Sequence, residues 1–243
     1  MSNNLTDRNF WKNYWKNYQY EKVSDKLIYN KYIDKLNKNE RFIEIGGFPG
    51  INAVALYKRG FKDLTILDFY IDDEIINGLE SKNGLPVGTI RSIESDFFKM
   101  GQTQKYDIVF SNGFIEHFED TKDVIKRHVD ILNDKGNLLL VLPNLRGING
   151  WIQFLFDKRN YDAHNLNAMN LSKLKIITEE LGLKDIEINY TSKPMVWLEP
   201  RPGMGNKILR EAIHLFSLFL KLFPFKCRLL SPYIIIFAKK HHE

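Results

Sequence analysis

Short apolar runs alternate along the chain with longer segments of helical spacing. FIEI (42–45), LTILD (64–68), TIRSIES (89–95), YDIVFS (106–111), NLLLVLP (137–143), DIEINY (185–190) and PYIIIFAKK (232–240) read as seven strands. NLLLVLP is apolar throughout, as a strand covered on both faces should be. Between the strands, 50–60 suits a helix closed by Gly60, and 72–81 suits a weaker one. Residues 120–132 place Val124, Ile125, Val129 and Leu132 on one helical face, and 171–182 form a helix ended by Gly182. Strand–helix alternation of this kind predicts an α/β fold, a parallel sheet with helices on both faces. The segment 8–36 reads as helical and aromatic. WKNY occurs twice in tandem, and a repeat of four sets Trp11 beside Trp15 and Tyr14 beside Tyr18. No Pro/Gly/Ser-rich linker interrupts the chain, which predicts one domain over 1–243 with a helical cap at 1–38.

One segment does not fit the alternation. Between the last two strands, 200–231 is an insertion containing NKILREAIHLFSLFLKLFPF. Its polar residues fall at 207, 210, 211, 214, 217 and 221, leaving one narrow polar stripe and a very broad apolar face. The run 207–223 is near the lower limit for a membrane span, and Lys, Arg, Glu and His interrupt it, so it is not a transmembrane helix. Three uses stay open. It can lie in a membrane interface with Lys221, Lys226 and Arg228 near anionic headgroups, join two subunits through 206–228, or pack on its own domain.

Composition narrows the class. The chain has 243 residues, 44% of them hydrophobic, enough to bury a sizeable core. The one cysteine, Cys227, rules out an intrachain disulfide and a zinc cluster built on thiolates, and no metal is expected. It fits a reducing, cytoplasmic compartment; an interfacial helix would place the chain peripherally at the inner membrane face. MSNNLTDRNF lacks the apolar h-region of a signal peptide. The net charge is +5, but residues 201–243 hold eight Lys/Arg against two acids, so the rest of the chain is slightly acidic. A basic character confined to one end argues against a nucleic-acid surface spread over the domain.

RFIEIGGFPG (41–50) places three glycines directly after the first strand. Such a cluster serves either as a plain turn or as a turn whose backbone meets a ligand without an intervening Cβ. In an open parallel sheet, ligands lie beyond the carboxyl ends of the strands, where this turn falls. A dinucleotide fingerprint would be G-x-G-x-x-G. Here Glu44 precedes Gly46, Gly47 and Gly50, closer to acid-x-G-x-G-x-G.

On these residues the chain resembles the class I S-adenosylmethionine (SAM)-dependent methyltransferases, over roughly 40–190 plus the last strand. EIGGFPG matches the first motif at Glu44, Gly46 and Gly50, with Phe48 where the family has its middle glycine. Asp68 in TILDF matches the acid that ends strand two, and Asp96 in ESDFF the acid after strand three. YDIVFSNGFIEHF and ILNDKGNLLLVLPN match the fourth and fifth motifs. The resemblance implies a seven-stranded Rossmann-like sheet whose last strand is antiparallel, and SAM as cofactor. Asp68 would accept hydrogen bonds from the ribose hydroxyls, with Phe69 beside it, and Asp96 from the adenine amino group, with Phe97 against the ring. Gly46, Gly47 and Gly50 would admit the methionine part, Glu44 would orient the loop, and Ser111, Asn112 and Gly113 would stand beside the reactive centre. Read alone, Asp68 suits a helix N-cap equally well, and Asp96 a loop cap.

The acceptor is less legible. SNGF stands where enzymes that methylate base amino groups often carry N/D-P-P-Y/F. That points away from nucleic acid and toward an oxygen of a small polar or glycan-type acceptor. His117 in FIEHF is the candidate base, against a structural use in which a Glu-His pair shapes the cofactor pocket. NYDAHNLNAMN resembles a loop of methyltransferases near sugar and surface-polysaccharide pathways, and supplies Tyr161, His164 and Asn165 as candidate acceptor contacts. Trp11, Tyr14, Trp15 and Tyr18 suit either a lid or an ordinary core contact. A nicotinamide oxidoreductase and a non-catalytic scaffold on the same fold are the competing classes.

Overall fold

In the computed structural model, residues 8–101, 104–191, 193–199, 203–223 and 225–241 are described; the parts of the expected cap and insertion that fall on 1–7, 200–202 and 224 lie outside them. In chain order the elements are α1 (Arg8–Trp15), α2 (Asn30–Ile33), β1 (Phe42–Ile45), α3 (Ile51–Lys58), β2 (Leu64–Asp68), α4 (Asp73–Lys82), β3 (Arg91–Glu94) and β4 (Tyr106–Asn112). A single 3-10 turn, Ile115–His117, leads to α5 (Thr121–Asp130) and β5 (Leu132–Pro143). Then come α6 (Ile148–Phe156), α7 (Lys158–Asp162), a second 3-10 turn at Leu166–Met169, α8 (Leu171–Glu180), β6 (Leu183–Thr191), α9 (Met204–Leu220) and β7 (Tyr233–Lys240).

The seven strands form one sheet in the order β3-β2-β1-β4-β5-β7-β6. The pairs β1–β2, β1–β4, β2–β3 and β4–β5 are parallel, and β7 runs antiparallel to both β5 and β6. From β1 the chain winds outward to β2 and β3, then returns to β4 on the other side of β1. The strand ends part at that reversal, where open α/β sheets form their ligand crevice.

Strand alternation divides the core into two layers. Ile43, Ile45, Val109, Leu138 and Leu140 pack on one face with Val124, Ile125 and Leu174 of α5 and α8. Phe42, Phe110, Leu139 and Val141 pack on the other with Leu56 of α3 and with Tyr29, Tyr32 and Ile33. Burying each such side chain contributes roughly 1.5–3 kcal/mol. Asp72, Asp120 and Asn170 start α4, α5 and α8 by accepting backbone N–H bonds on their side chains.

The predicted strands and helices of 42–190 recur with shifted ends. The helix expected to reach 132 stops at Asp130, because Leu132 already opens β5. The aromatic segment departs further: only Arg8–Trp15 and one turn at Asn30–Ile33 are helical. Residues between them are held by tertiary bonds instead, Val23 N–H donating to Asn83 Oδ1 at 2.8 Å and Lys58 Nζ to the Val23 carbonyl at 2.8 Å. Short helices are marginal without packing, and outside bonds decide the path here. Helix α6, INGWIQFLF, was not expected; its two polar side chains, Asn149 and Gln153, lie on the buried face.

Candidate active site

A cleft of about 260 Å³ opens beyond the carboxyl ends of β1, β2 and β4. Its floor is the glycine turn. Gly46 has φ +69, and a Cβ there would lie 2.5 Å from Phe114 Cδ2; a Cβ on Gly47 would lie 2.8 Å from Glu44 Cγ. Only glycine fits at these two points without moving packed groups. Both N–H groups donate to the Leu67 carbonyl, at 2.8 and 3.3 Å, pinning the turn to β2. Gly50 stands one step back, at the N-cap of α3, and is not on the cleft wall.

Beneath the turn, Glu44 is buried. Asn52 Nδ2 donates to its Oε1 at 2.6 Å, and the Tyr29 hydroxyl donates to Asn52 Oδ1 at 2.6 Å. Glu44 Oε2 has no partner. Burial raises the Glu44 pKa to about 8, with the Asn52 bond pulling the other way, so the free chain holds this carboxyl largely protonated at neutral pH. Asn52 escaped the sequence reading, although a polar residue inside the apolar run INAVAL was a usable signal.

Asp68 ends β2 on the cleft wall. Phe48 N–H donates to its Oδ2 at 3.1 Å and Tyr70 N–H to its Oδ1 at 3.4 Å. Phe69 N–H is a third backbone donor, so three of the carboxylate's roughly four acceptor sites are engaged. Burial lifts its pKa to about 6, opposed by these backbone donors. The N-cap of α4 is Asp72, so the alternative role weighed for Asp68 falls to its neighbour. Asp96 caps a loop turn and also stands on the cleft wall. Its Oδ1 accepts from Phe98 N–H at 2.9 Å, and the residue lines the cleft. Phe69 and Phe97 also line it; Phe97 is mostly buried, edge-on to Phe114 and His128. Asn112 and Gly113 are on the wall, whereas Ser111 is buried behind it in β4.

Phe48, in the place of a family glycine, leaves the turn intact. Its ring stands edge-on to Trp15 at 5.5 Å and to Tyr70 at 5.6 Å. It thereby anchors α1, whose Trp11, Tyr14 and Trp15 close the cleft from outside. Arg8 pairs with Glu94 at 2.6 Å, and Tyr14 hydrogen-bonds Glu199. Of these aromatics, Trp11, Tyr14 and Trp15 line the cleft, and no residue of α1 is buried. Tyr18 packs behind them, at 5.6 Å from Trp15.

At the far wall, His117 Nδ1 lies 3.0 Å from the Ala163 carbonyl. A carbonyl only accepts, so Nδ1 carries the hydrogen and Nε2 the lone pair. Burial, reinforced by neighbouring His164, lowers the His117 pKa to about 4, so the ring is neutral at pH 7. Trp11 stands edge-on at 5.8 Å, and the His164 ring is 4.9 Å away. His164 Nδ1 is likewise held, 2.6 Å from the Asn160 carbonyl. Glu116 is buried with Oε2 unpartnered, and burial raises its pKa to about 8. Ligand atoms of Glu116, His117 and His164 lie within 4.8 Å of one another, close enough to hold a metal ion. Glu116 is the acid of the Glu-His pair that FIEHF offered as a structural element of the pocket.

The remaining acceptor candidates are placed differently. Asn165 gives its amide hydrogens to the Phe118 and Glu119 carbonyls at 2.8 and 3.0 Å, and its Oδ1 accepts from Asn167 N–H. It is a clasp between loops, with no amide hydrogen left for an acceptor. Tyr161 packs edge-on to Phe154 at 5.4 Å and is not on the cleft wall.

Residues 14–188 match the model of a family described as a methyltransferase domain. None of the curated proteins matches the sequence. Among solved structures, a SAM-dependent methyltransferase from Archaeoglobus fulgidus superposes with TM-score 0.57 at 19% identity, covering 87% of this chain and 91% of that one. Phosphoethanolamine N-methyltransferase 2 of Haemonchus contortus, in complex with phosphomonomethylethanolamine and S-adenosylhomocysteine, gives 0.58 at 16%, covering 88% of this chain and 51% of that one. The CurJ carbon methyltransferase gives 0.53 at 14%, with coverages of 88% and 52%. At these identities the likeness is one of fold.

Proposed function

The chain belongs to the methyltransferase-domain family, and from that premise we propose that it moves a methyl group from SAM to an oxygen of a small polar or glycan-type acceptor. The observation that carries the oxygen assignment is the neutral His117 on the cleft wall, its Nδ1 fixed and its Nε2 lone pair free to take a proton.

The cleft suits the cofactor on its own terms. The Gly46–Gly47 floor puts bare backbone on the cleft wall, and the orphaned Glu44 Oε2 lies beneath it. SAM is a cation, and a positive ligand favours the ionised form of a buried carboxyl whose pKa stands near 8. Asp68 is the carboxylate placed to accept from the ribose diol, Asp96 from the adenine amino group, and Phe69 and Phe97 supply apolar wall. When bound, SAM supplies a methyl group on a leaving group that is already activated. The protein's work is then alignment and proton handling. His117 Nε2 accepts the acceptor hydroxyl's hydrogen bond and receives its proton as the new C–O bond forms. Glu116 and His164 are near enough to take part in dispersing that charge. Trp11, Tyr14 and Trp15 exclude water, which would otherwise compete for the Nε2 lone pair.

Calorimetric titration with SAM and with NAD, separately, tests the cofactor half. Binding of SAM alone is expected; binding of NAD alone, or of neither, sinks the proposal. A panel of hydroxyl, amino and carbon acceptors assayed by S-adenosylhomocysteine release tests the other half. Turnover with an amine and with no alcohol or sugar overturns the oxygen assignment.

A further inference from the structure

The insertion and helix α6 present an apolar surface to solvent. Of the 17 residues of α9, Ser217 and Leu220 are buried. A narrow seam, with Leu209, Ile213 and Leu220 of α9 against Ile148 and Ile152 of α6 through Val196 and Leu198, joins the two helices. Away from that seam both are apolar and wet. Trp151 is 71% exposed, Leu155 69% and Leu222 75%, and Leu215, Phe219 and Phe225 are exposed beside them in sequence. The loop that follows α9 returns to the start of α6, where Ile148 N–H donates to the Leu229 carbonyl at 2.9 Å. Single exposed apolar residues are ordinary; a set of this size on two joined helices marks an interaction surface.

We infer that this surface docks on an anionic lipid bilayer and presents the cleft to an acceptor held there. Charge decides between a bilayer and a second copy. Lys207, Arg210, Lys221, Lys226 and Arg228 accompany the patch, against the single acid Glu211 between 203 and 229. A two-fold dimer through the patch would press this basic set against itself. Anionic headgroups meet it with opposite charge, while the apolar side chains enter the interface. No helix among the described residues is long and apolar enough to cross a membrane, so α9 lies along the surface.

The patch is continuous with the acceptor side of the cleft. Phe154 of α6 touches Tyr161 of α7, and Asn160 holds His164 against His117. The α1 lid is tied to the same region by Phe10 with Arg159 and by Tyr14 with Glu199. An acceptor with a polar, methylatable end and a lipid tail fits this placement. That acceptor class rests on the methyl-transfer reading above; the docking does not.

The full chain is floated with vesicles of equal parts phosphatidylcholine and phosphatidylglycerol, and with vesicles of phosphatidylcholine alone. SAM binding is measured in parallel. Flotation with the anionic vesicles and not the neutral ones is expected. Lys221→Glu with Lys226→Glu should weaken partition by more than ~30-fold, and Leu155→Glu with Leu222→Glu should abolish it. Both pairs should bind SAM unchanged, since the four positions are exposed and outside the cleft. A chain that binds SAM yet stays at the bottom, or that sediments as a dimer and does not float, overturns the docking surface and leaves methyl transfer standing. A chain that floats but ignores SAM does the reverse. Equal flotation with both vesicle types also overturns the inference, because charge then plays no part.

Discussion

Around the cleft, polar groups are buried where apolar ones belong; on α6 and α9, apolar groups face water where polar ones belong. Glu44 and Glu116 are shut from solvent with one carboxylate oxygen each unpartnered, while Trp151 and Leu222 are largely exposed. Both break the ordinary sorting of residues, and both cost stability in the free chain. The first cost is relieved by a small cation, the second by a large apolar surface. Departures from sorting therefore say what kind of ligand each end meets, before any ligand is known. The two ends also differ in rigidity of design. The cleft is built from strand ends and fixed turns, whereas α9 meets the domain along the seam with α6 and its following loop is held by Asn144, whose Nδ2 donates to the Arg228 and Ser231 carbonyls.

The largest effect should come from the wall between the two ends. Replacing His117 by Ala removes the Nε2 acceptor, and turnover is expected to fall ~10²–10⁴-fold, as for loss of a general base. SAM affinity should stay nearly constant. If affinity falls in step with turnover, His117 shapes the cofactor pocket instead, and the contrast between a cofactor end and an acceptor end blurs. Next comes Asp68→Ala. It removes two charge-assisted contacts and is expected to weaken SAM binding by ~100-fold. A smaller loss than that of Asp96→Ala would mean that the β2 end is not the principal anchor.

The cleft was largely legible in the sequence, and the insertion was legible only as a question. Glu44, Gly46, Asp68 and Asp96 are set by local chemistry. Each ends a strand or opens a turn, and strand ends in a parallel sheet point to one side. The broad apolar face of α9 was likewise visible as periodicity, but periodicity does not say what covers a face. Residues whose roles depend on distant partners were lost or misplaced. Asn165 reads as a free polar side chain until Phe118 and Glu119 take its hydrogens. Glu116 is legible only as half of a Glu-His pair until its burial, with one oxygen unpartnered, is seen. The segment after Trp15 reads as helix because its aromatics repeat by four, yet Asn83 and Lys58 set its path from outside.

The buried carboxyls give the contrast a pH dependence. Glu44 and Glu116 have folded pKa values of about 8 against an ordinary 4.5. Between those values the folded chain binds more protons than the unfolded one, so stability falls as pH rises. His117 and His128, lowered to about 4 from 6.5, act oppositely, but only below pH 6.5. Asp68, near 6, has also finished most of its titration by then. From about pH 6.5 to 8 the two glutamates give a falling profile, and thermal or urea denaturation of the free chain should show a loss of ~2 kcal/mol for each. Glu44→Gln and Glu116→Gln should each remove its share. A flat stability profile in the double variant and wild type alike would mean that water reaches these groups.

The smallest effect tests how the lid is held. Arg8 and Glu94 form an exposed pair, with side chains 46% and 42% accessible. Such pairs contribute less than about 1 kcal/mol and weaken with salt. Trp15, by contrast, packs edge-on to Phe48 inside the cleft mouth, a contact that salt does not screen. Arg8→Ala should therefore leave S-adenosylhomocysteine affinity within about twofold at any ionic strength, while Trp15→Ala weakens it more. The reverse order, with Arg8→Ala the more damaging and its effect fading in high salt, would mean that charge rather than aromatic packing closes the cleft. The lid would then respond to the ionic conditions at a charged surface, as the insertion is proposed to do, instead of sharing the fixed geometry of the strand ends.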